Sequence, residues 1–448
     1  MPGDMVIAGG GLAWHANRIL ERFCAMSGGL KSRFSILPAA SGNPVAACQR
    51  MKESLIRLGV PASRIEILPV SPLVPEWAQG AWDEKVVAML NSADGLWITG
   101  GDQSRILQCL VDPERGESPL LKILCQRASR PHAEGGLVAG GSSAGAAVMS
   151  DPMICGGTSW GALTLPVALN PSQEEISDPL SLSRGLGLFR EGIIDQHFDT
   201  RARFARLMAA AMRGNHRRLA FGIDEDTALV YEGANRSISV LGSGGVSVID
   251  VRNTRSESIY LRGRDRRCIT NVVWHYLVEG DSLRVSEGLL DFSAKQEILP
   301  ADAALMVRQP LASGPLSPYG QLMPFAVHML LDNDPKMLDR DEFSGMPCVR
   351  GYLLADSADT ARIEGMHEGM QLGNQSIERI LHGWEVALLR IMPSSHSQSP
   401  TSPEEAMPLQ ACINDSPGWS RLFHDPESNR YSFSHVGIRF LEFSAFFR

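Results

Sequence analysis

The chain has 448 residues, of which 44% are hydrophobic and 21% charged, and its formal net charge is -8 at pH 7. This length allows two domains and a large core, the apolar runs stay short of the ~20 residues that a membrane helix needs, and the negative charge disfavours a nucleic-acid partner. The N-terminus lacks a basic stretch and a signal-peptide core, and the eight cysteines show no C-x-x-C spacing. These features favour a cytoplasmic protein with reduced thiols, without a zinc site or a disulfide framework.

The first part of the chain alternates between predicted strands and predicted helices. The strands are Met5–Ala8, Arg33–Pro38, Arg64–Pro69 and Gly95–Thr99, and the helices are Ala47–Leu58 and Glu84–Leu90. This alternation favours a parallel sheet covered by helices on both faces, with ligands bound beyond the carboxyl ends of the strands. Gly9–Gly11 follows the first strand but lacks the G-x-G-x-x-G pattern, so we interpret it as a tight loop rather than a nucleotide site.

The segment Gly140–Ala146 has the pattern of a nucleophile elbow. It follows the apolar run Gly136–Ala139 and leads into Ala146–Met149, which can form a helix. In G-x-S-x-G the glycines permit a tight turn that exposes the central serine, here Ser143, at the top of a sheet. Ser143 has a glycine two positions away on each side, whereas the neighbouring Ser142 does not. Ser143 is therefore the candidate nucleophile, and a purely structural glycine turn is the alternative.

Two later segments supply the partners that a serine nucleophile needs. Ile193–Phe198 is an apolar pair that runs into a polar cluster containing His197, and Ala220–Val230 holds an acidic cluster between apolar residues. His197 is the candidate base, and a carboxylate would orient its ring. Both Asp195, which shares a strand face with His197, and Glu225 could supply that carboxylate. The order Ser, His, acid differs from that of α/β-hydrolases.

An arginine-rich stretch follows the candidate base. Asp199–Thr200 is predicted to cap a helix on which Arg203 and Arg206, three positions apart, share one face, whereas Arg201 points elsewhere. These arginines can form a carboxylate-binding surface, because the guanidinium fork binds carboxylates with two hydrogen bonds. A solvated helix face is the alternative interpretation.

Beyond Val230 the chain changes character. Short strands are predicted within Ser237–Val251, Ser258–Leu261 and Val272–Val278. A helix is predicted over Ile377–Met392, followed by a flexible linker over Pro393–Pro408. The tail over Tyr431–Phe447 is apolar and is predicted to pack against the rest of the protein.

Several of these motifs together resemble the serine peptidase family that contains cyanophycinase and aspartyl dipeptidase (peptidase E). They occur in the family's order over roughly the first two thirds of the chain. The motifs are Thr99–Gln103, Gly140–Ala146, Leu186–Leu188, Asp195–Phe198, Arg201–Leu207 and Gly222–Ala228. The resemblance implies a three-layer α/β/α sandwich with a mainly parallel sheet, like that of class I glutamine amidotransferases. It places a peptidase domain at residues 1–290 and leaves 291–448 as a C-terminal α+β extension of unknown role.

The resemblance also implies an activity, the hydrolysis of cyanophycin to β-Asp-Arg dipeptides. The family pattern implies Ser143 as nucleophile, His197 as base and Glu225, in preference to Asp195, as the orienting acid. The backbone N–H groups of Ala144 and of the Gly100–Gly101 loop would stabilise the oxyanion.

The substrate-binding residues are also implied by the resemblance. They are Gln103, Asp195, Gln196, Arg201, Arg203 and Arg206. Ala202 and Ala205 stand where the family more often has glycine, which leaves the pocket shape open. The chemistry requires no metal or organic cofactor, and the family usually forms homodimers. Alternatives are a serine peptidase for short aspartyl or isoaspartyl peptides and a non-catalytic binding protein on the same fold.

Overall fold

The computed structural model describes residues 2–13, 18–169, 179–213, 219–261, 264–292, 294–298, 326–327, 339–340, 347–354, 379–390, 420–428 and 430–447. Its α-helices are α1 (Arg18–Met26), α2 (Pro44–Arg57), α3 (Glu84–Ser92), α4 (Gln103–Leu110), α5 (Pro119–Ala128), α6 (Ala144–Ala147), α7 (Ser159–Thr164) and α8 (Phe204–Ala211). The two helices predicted early in the chain are confirmed as α2 and α3. Helix α2 begins where sequence rules place it, because Asn43 caps it by accepting a hydrogen bond from Ala46 N and Pro44 is its first residue. Within the described ranges, none of the helices has the length and apolar character needed to cross a bilayer.

The strands divide into those before and those after residue 232. The first group is β1 (Met5–Ala8), β2 (Phe34–Leu37), β3 (Ile65–Ile67), β4 (Gly95–Ile98), β5 (Val111–Asp112), β6 (Gly116–Glu117), β7 (Val138–Ser142), β8 (Met153–Gly156), β9 (Ala168–Leu169), β10 (Ser181–Ser183), β11 (Gly192–Gln196), β12 (Leu219–Ile223) and β13 (Thr227–Glu232). The second group is β14 (Ser237–Gly242), β15 (Gly245–Asp250), β16 (Arg255–Leu261), β17 (Arg264–Val278), β18 (Ser282–Arg284), β19 (Leu289–Asp291), β20 (Gln296–Ile298), β21 (Asp339–Arg340), β22 (Pro347–Leu354), β23 (Arg379–Arg390), β24 (Arg421–Asp425) and β25 (Arg430–Phe447). The strands predicted from the sequence are confirmed.

The first large sheet has nine strands in the order β19-β18-β14-β13-β1-β7-β4-β2-β3. Strands β1, β7, β4, β2 and β3 pair in parallel, and the strands on the other side of β1 pair antiparallel. The sheet is therefore mixed, and the prediction of a mainly parallel sheet holds only for the first part of the chain. Parallel strands need crossover connections, which α-helices supply there, whereas short turns join β13 to β14 and β18 to β19 as antiparallel pairs.

The second large sheet follows the order β11-β12-β15-β17-β25-β23-β22-β21, with β16, β20 and β24 attached beside this path. Its strands β11 and β12 are parallel, so their carboxyl ends lie at the same edge of the sheet. Strand β23 shows that the helix predicted over Ile377–Met392 is wrong. Residues 379–390 form a strand that pairs with β25 over its whole length. A short apolar run cannot be assigned to helix or strand by its spacing alone, and here the distant partner β25 decides.

The apolar tail packs as expected, as a strand between β17 and β23. Phe433 is fully buried, lies edge-on to Trp274 with ring centroids 4.6 Å apart, and stacks on Tyr276. The second sheet therefore continues from the region before residue 290 into the region after it. The division into domains at that residue, the three-layer sandwich and the homodimer all stay predictions. The linker predicted over Pro393–Pro408 lies outside the described residues.

The packing of the tail generates a stability prediction. Phe433→Ala removes a fully buried ring from the contact with Trp274, and we expect the free energy of unfolding to fall by about 3–5 kcal/mol. Urea unfolding followed by circular dichroism measures this loss. Leu165→Ala, at a side chain that is 41% exposed, is the control and should change stability by less than about 0.5 kcal/mol. Equal stability of the two variants would show that β25 is not part of the cooperative core.

Candidate active site

Ser143 lies at a sharp turn between a strand and a helix. Strand β7 ends at Ser142, helix α6 begins at Ala144, and Ser143 between them has φ 54° and ψ -115°. A non-glycine residue with positive φ is uncommon and costs conformational energy, so the surrounding structure must impose it. A hydrogen bond from Ser143 N to Ala8 O, 3.0 Å long, holds the turn against the end of β1. The predicted strand, turn and helix of an elbow are all present.

His197 and Glu225 follow two neighbouring strands of the second sheet. Strands β11 and β12 run in parallel with Gln196 opposite Ile223, so the residues just beyond their carboxyl ends emerge side by side. His197 also has a positive φ of 46°. Its N–H donates to Gly9 O at 2.9 Å, which ties this loop to the end of β1 in the first sheet.

The three side chains meet in one chain of hydrogen bonds. His197 Nε2 lies 2.9 Å from Ser143 Oγ, and His197 Nδ1 lies 2.5 Å from Glu225 Oε1. Both distances fit a nucleophile, a base and a carboxylate that orients the base. The sequence left Asp195 and Glu225 as rival acids, and in the structure Glu225 is the one that contacts the imidazole.

The glycine loop after β1 packs closely against the imidazole ring of His197. Gly10 has φ 104°, and a Cβ added to it would lie 2.4 Å from His197 Cε1. Only glycine lets the backbone approach the ring this closely. The sequence predicts only a tight loop here and does not reveal the contact with the ring. The run of three glycines beside the elbow strand was the available signal, but it does not identify its distant neighbour.

Asp195 forms a buried ion pair beneath the site. Its carboxylate is 1% exposed and accepts hydrogen bonds from Arg206 Nε at 2.7 Å and Arg206 Nη2 at 2.6 Å. Burial would raise the pKa of Asp195, but the charges of Arg206 and Arg203 outweigh it and hold that pKa below its usual value. Asp195 is thus an ionised partner of Arg206.

The arginine stretch differs from its prediction. Helix α8 begins only at Phe204, with Arg203 in the N-cap position, so Arg203 and Arg206 do not share a helix face. The reason is Ala202, whose φ of 51° interrupts any helix started at Asp199. A glycine would take that conformation with less strain than the alanine.

Both arginines donate to groups within the protein. Arg206 is 4% exposed and also donates from Nη1 to Gly157 O at 2.8 Å. Arg203 donates to Gln196 O at 2.6 Å, and burial lowers its pKa to about 10. Arg201, by contrast, is exposed. The predicted substrate-binding arginines therefore divide into two that brace the site and one that faces solvent.

The remaining predicted residues surround the elbow. Gly100, after β4, lies so close to Ser143 that an added Cβ would be 3.2 Å from the Cβ of Ser143. Gln103 is buried and donates through Nε2 to Ile154 O at 2.7 Å and Cys155 O at 3.1 Å. Ala144 is the first residue of α6, where helix N–H groups have no acceptor within the helix and can stabilise an anion.

A second polar network stands behind Glu225. Asp224 accepts hydrogen bonds from Asp199 N at 3.1 Å, Gly245 N at 3.1 Å and Tyr276 Oη at 2.7 Å. Burial raises the pKa of Asp224 to about 7. Because Asp199 follows His197 by two residues and Asp224 precedes Glu225, this carboxyl group connects the two loops that carry the imidazole and its acid.

A cavity of about 480 Å³ opens above the candidate nucleophile. Its walls include Ser143, His197, Gly100, Leu12 and Arg50. Arg50, on helix α2, was not singled out in the sequence, because nothing in its local pattern places it near Ser143. In the part of the chain that the structure describes, no three His, Cys, Asp or Glu side chains are grouped so that they could hold a metal ion.

Comparisons with known proteins identify a family match and several relatives. The family model of peptidase family S51 matches residues 5–239, slightly more than half of the chain. The chain is 32% identical over 278 residues to a cyanophycinase of Nostoc sp., covering 62% of this chain and 83% of that protein. It is 33% identical over 278 residues to a cyanophycinase of Synechococcus elongatus, covering 62% and 77%.

A solved structure adds a further likeness. The crystal structure of a peptidase from an acI-B1 Actinobacterium aligns at 19% identity and a TM-score of 0.43, covering 63% of this chain and 97% of that one. The family match and the relatives establish the class: the chain is a serine-type peptidase. More narrowly, it belongs to peptidase family S51, where it is similar to cyanophycinases.

The burial of His197 generates a pH prediction. Burial lowers the pKa of the imidazole, partly opposed by the hydrogen bond that the ring donates to Glu225. Only the neutral ring accepts a proton, so kcat/KM should rise with pH through a midpoint below about 6.5, the usual histidine pKa, and stay level above it. Glu225→Gln removes a group that raises this pKa. Its midpoint should therefore shift further down, and its plateau should fall by about 10⁴-fold.

The profile is measured with one peptide substrate across the pH range. Glu232→Gln, at an exposed residue paired with Arg22 on the surface, is the matched control and should reproduce the wild-type curve. A wild-type midpoint above the usual value, or a Glu225→Gln variant with wild-type activity, would contradict the prediction.

Proposed function

We propose that the protein is an exopeptidase that hydrolyses cyanophycin, the poly-aspartate with arginine on each β-carboxyl, to β-Asp-Arg dipeptides. The observation that carries this proposal is the continuous contact from Ser143 through His197 to Glu225 in a chain of family S51. The relatives named above are cyanophycinases, which favours this substrate over others.

In the proposed reaction Ser143 Oγ attacks the carbonyl carbon of an aspartyl peptide bond while His197 Nε2 takes the hydroxyl proton. Glu225 holds the imidazole through Nδ1 and stabilises the imidazolium that forms. The imidazolium then protonates the leaving amine. Water, deprotonated by His197, hydrolyses the resulting acyl-enzyme and regenerates Ser143.

The oxyanion of each tetrahedral intermediate would be stabilised by backbone N–H groups. Ala144, at the start of α6, and the Gly100–Gly101 loop beside Ser143 are the proposed donors. Such preorganised donors contribute more than they would in water, because they are already oriented when the charge develops. The close approach of Gly100 to Ser143 supports their placement.

The proposed substrate pocket adds Gln103, Asp195, Gln196, Arg201, Arg203 and Arg206 to the triad. The ion pair of Asp195 with Arg206 and the bond of Arg203 to Gln196 O favour a bracing role for these buried residues. Removing one partner leaves the other buried and unpaired, so substitutions here should affect pocket geometry as well as substrate contacts. Arg201 is exposed and is proposed to contact substrate directly.

The second candidate function is hydrolysis of short aspartyl or isoaspartyl peptides. It would use the same nucleophile and base, and the open cavity above Ser143 can accept either substrate. The length of the preferred substrate separates the two, because only a polymer-degrading enzyme should act on insoluble cyanophycin.

Product analysis tests the proposal. Wild-type protein incubated with purified cyanophycin should release β-Asp-Arg as the main product seen by mass spectrometry. Ser143→Ala should lose activity by several orders of magnitude while keeping its circular dichroism spectrum, because only one oxygen atom is removed. Ser92→Ala is the control, since that serine is exposed at the end of helix α3 and bonds to Met89 O. Intact cyanophycin together with cleaved aspartyl dipeptides would favour the second candidate.

A further inference from the structure

The cavity above Ser143 contains a cation whose charge the proposed mechanism does not use. Arg50 lines this cavity together with Ala47 and Met51 of helix α2. The three residues are spaced by three and four positions, so they form one face of the helix. Ala47 and Met51 are buried against the protein, whereas Arg50 is exposed. Helix α2 therefore contributes an exposed arginine to the cavity that Ser143 also lines.

The charge of Arg50 differs from that of the arginines near Asp195. Arg206 gives three donors to Asp195 and Gly157, and Arg203 gives one to Gln196 O. Among the described residues, by contrast, no carboxylate lies within ion-pair distance of Arg50. A cation with available donors beside a serine nucleophile is suited to an anionic group of the substrate, and a guanidinium fork matches a carboxylate best.

We propose that Arg50 is a specificity-determining residue that binds a carboxylate of the substrate in the Ser143 cavity. The proposal rests on the proposed function in placing the substrate at Ser143. A chain of β-Asp-Arg units offers two such groups at its end, the terminal α-carboxylate of the aspartyl backbone and the carboxylate of the attached arginine. Arg50 selects substrates that carry a free carboxylate near the scissile bond. If the bound group is the terminal α-carboxylate, this selection favours cleavage at the end of the polymer, because internal units carry only the arginine carboxylate.

Activated esters provide the first test, because they require only a reactive Ser143 and a carboxylate. The probes are 4-nitrophenyl acetate, which is neutral, and the mono-4-nitrophenyl ester of succinate, which is anionic. Arg50→Ala should lower kcat/KM for the anionic ester by about 10- to 100-fold and leave the neutral ester unchanged. Arg50→Lys should recover only part of the loss, since a point charge lacks the fork.

Arg57→Ala is the matched control. Arg57 lies on the same helix, is also exposed and bonds to Ser54 Oγ, outside the cavity. It should leave both esters unchanged. Equal loss on the neutral and anionic esters in Arg50→Ala would assign Arg50 a structural role and overturn the proposal, as would a variant that matches wild type on both.

A peptide series identifies which carboxylate is bound. Short β-Asp-Arg chains are prepared with both carboxylates free, with the backbone terminus amidated, and with the arginine carboxylate amidated. The ratio of wild-type to Arg50→Ala activity should fall to about one when the bound group is amidated. A ratio that neither amidation changes would refute the proposal. A wild-type enzyme that leaves every chain intact would refute the proposed function instead, and the esters would still decide the role of Arg50.

Discussion

The geometry of the site depends on the backbone at the end of β1. Gly9 O accepts from His197 N at 2.9 Å, Gly10 O accepts from Asp226 N at 2.8 Å, and Ala8 O accepts from Ser143 N at 3.0 Å. Three successive carbonyls thus hold the elbow, the loop of the base and the loop of the acid. Backbone hydrogen bonds position these loops more firmly than long side chains could, because fewer rotatable bonds separate the contacts. The two large sheets meet at this stretch, so the triad distances follow from how the sheets are joined.

Burial acts on the titratable groups around this junction in a consistent way. It lowers the pKa of His197 and raises that of Asp224 to about 7, since a low-dielectric setting disfavours the charged form of each. Asp195 keeps its charge because the guanidinium groups of Arg206 and Arg203 lie beside it. The imidazole is therefore neutral near pH 7 and able to accept a proton. Burial therefore keeps the proposed base neutral beside the cavity that Ser143 lines.

Local patterns predicted the early strands and helices, the strand-turn-helix around Ser143 and the residue types needed for a triad. Contacts between distant segments could not be predicted in this way. The strand over residues 379–390 exists because β25 pairs with it, the helix near Arg203 starts late because Ala202 takes a positive φ, and Gly10 matters because His197 packs on it. Arg50 reaches the cavity through the packing of α2, which no spacing in the sequence reveals. In each case the deciding factor is either a residue far away in the chain or a backbone angle.

Ser143 as a nucleophile that His197 activates is the proposal on which the mechanism depends. Labelling with a fluorophosphonate, followed by peptide mapping, tests it most directly, because the reagent forms a stable bond only with an activated serine. We expect one adduct, on Ser143, that forms with wild-type protein and fails to form when His197 is replaced by alanine. An adduct on the buried Ser142, or labelling of Ser143 that does not depend on His197, would contradict it.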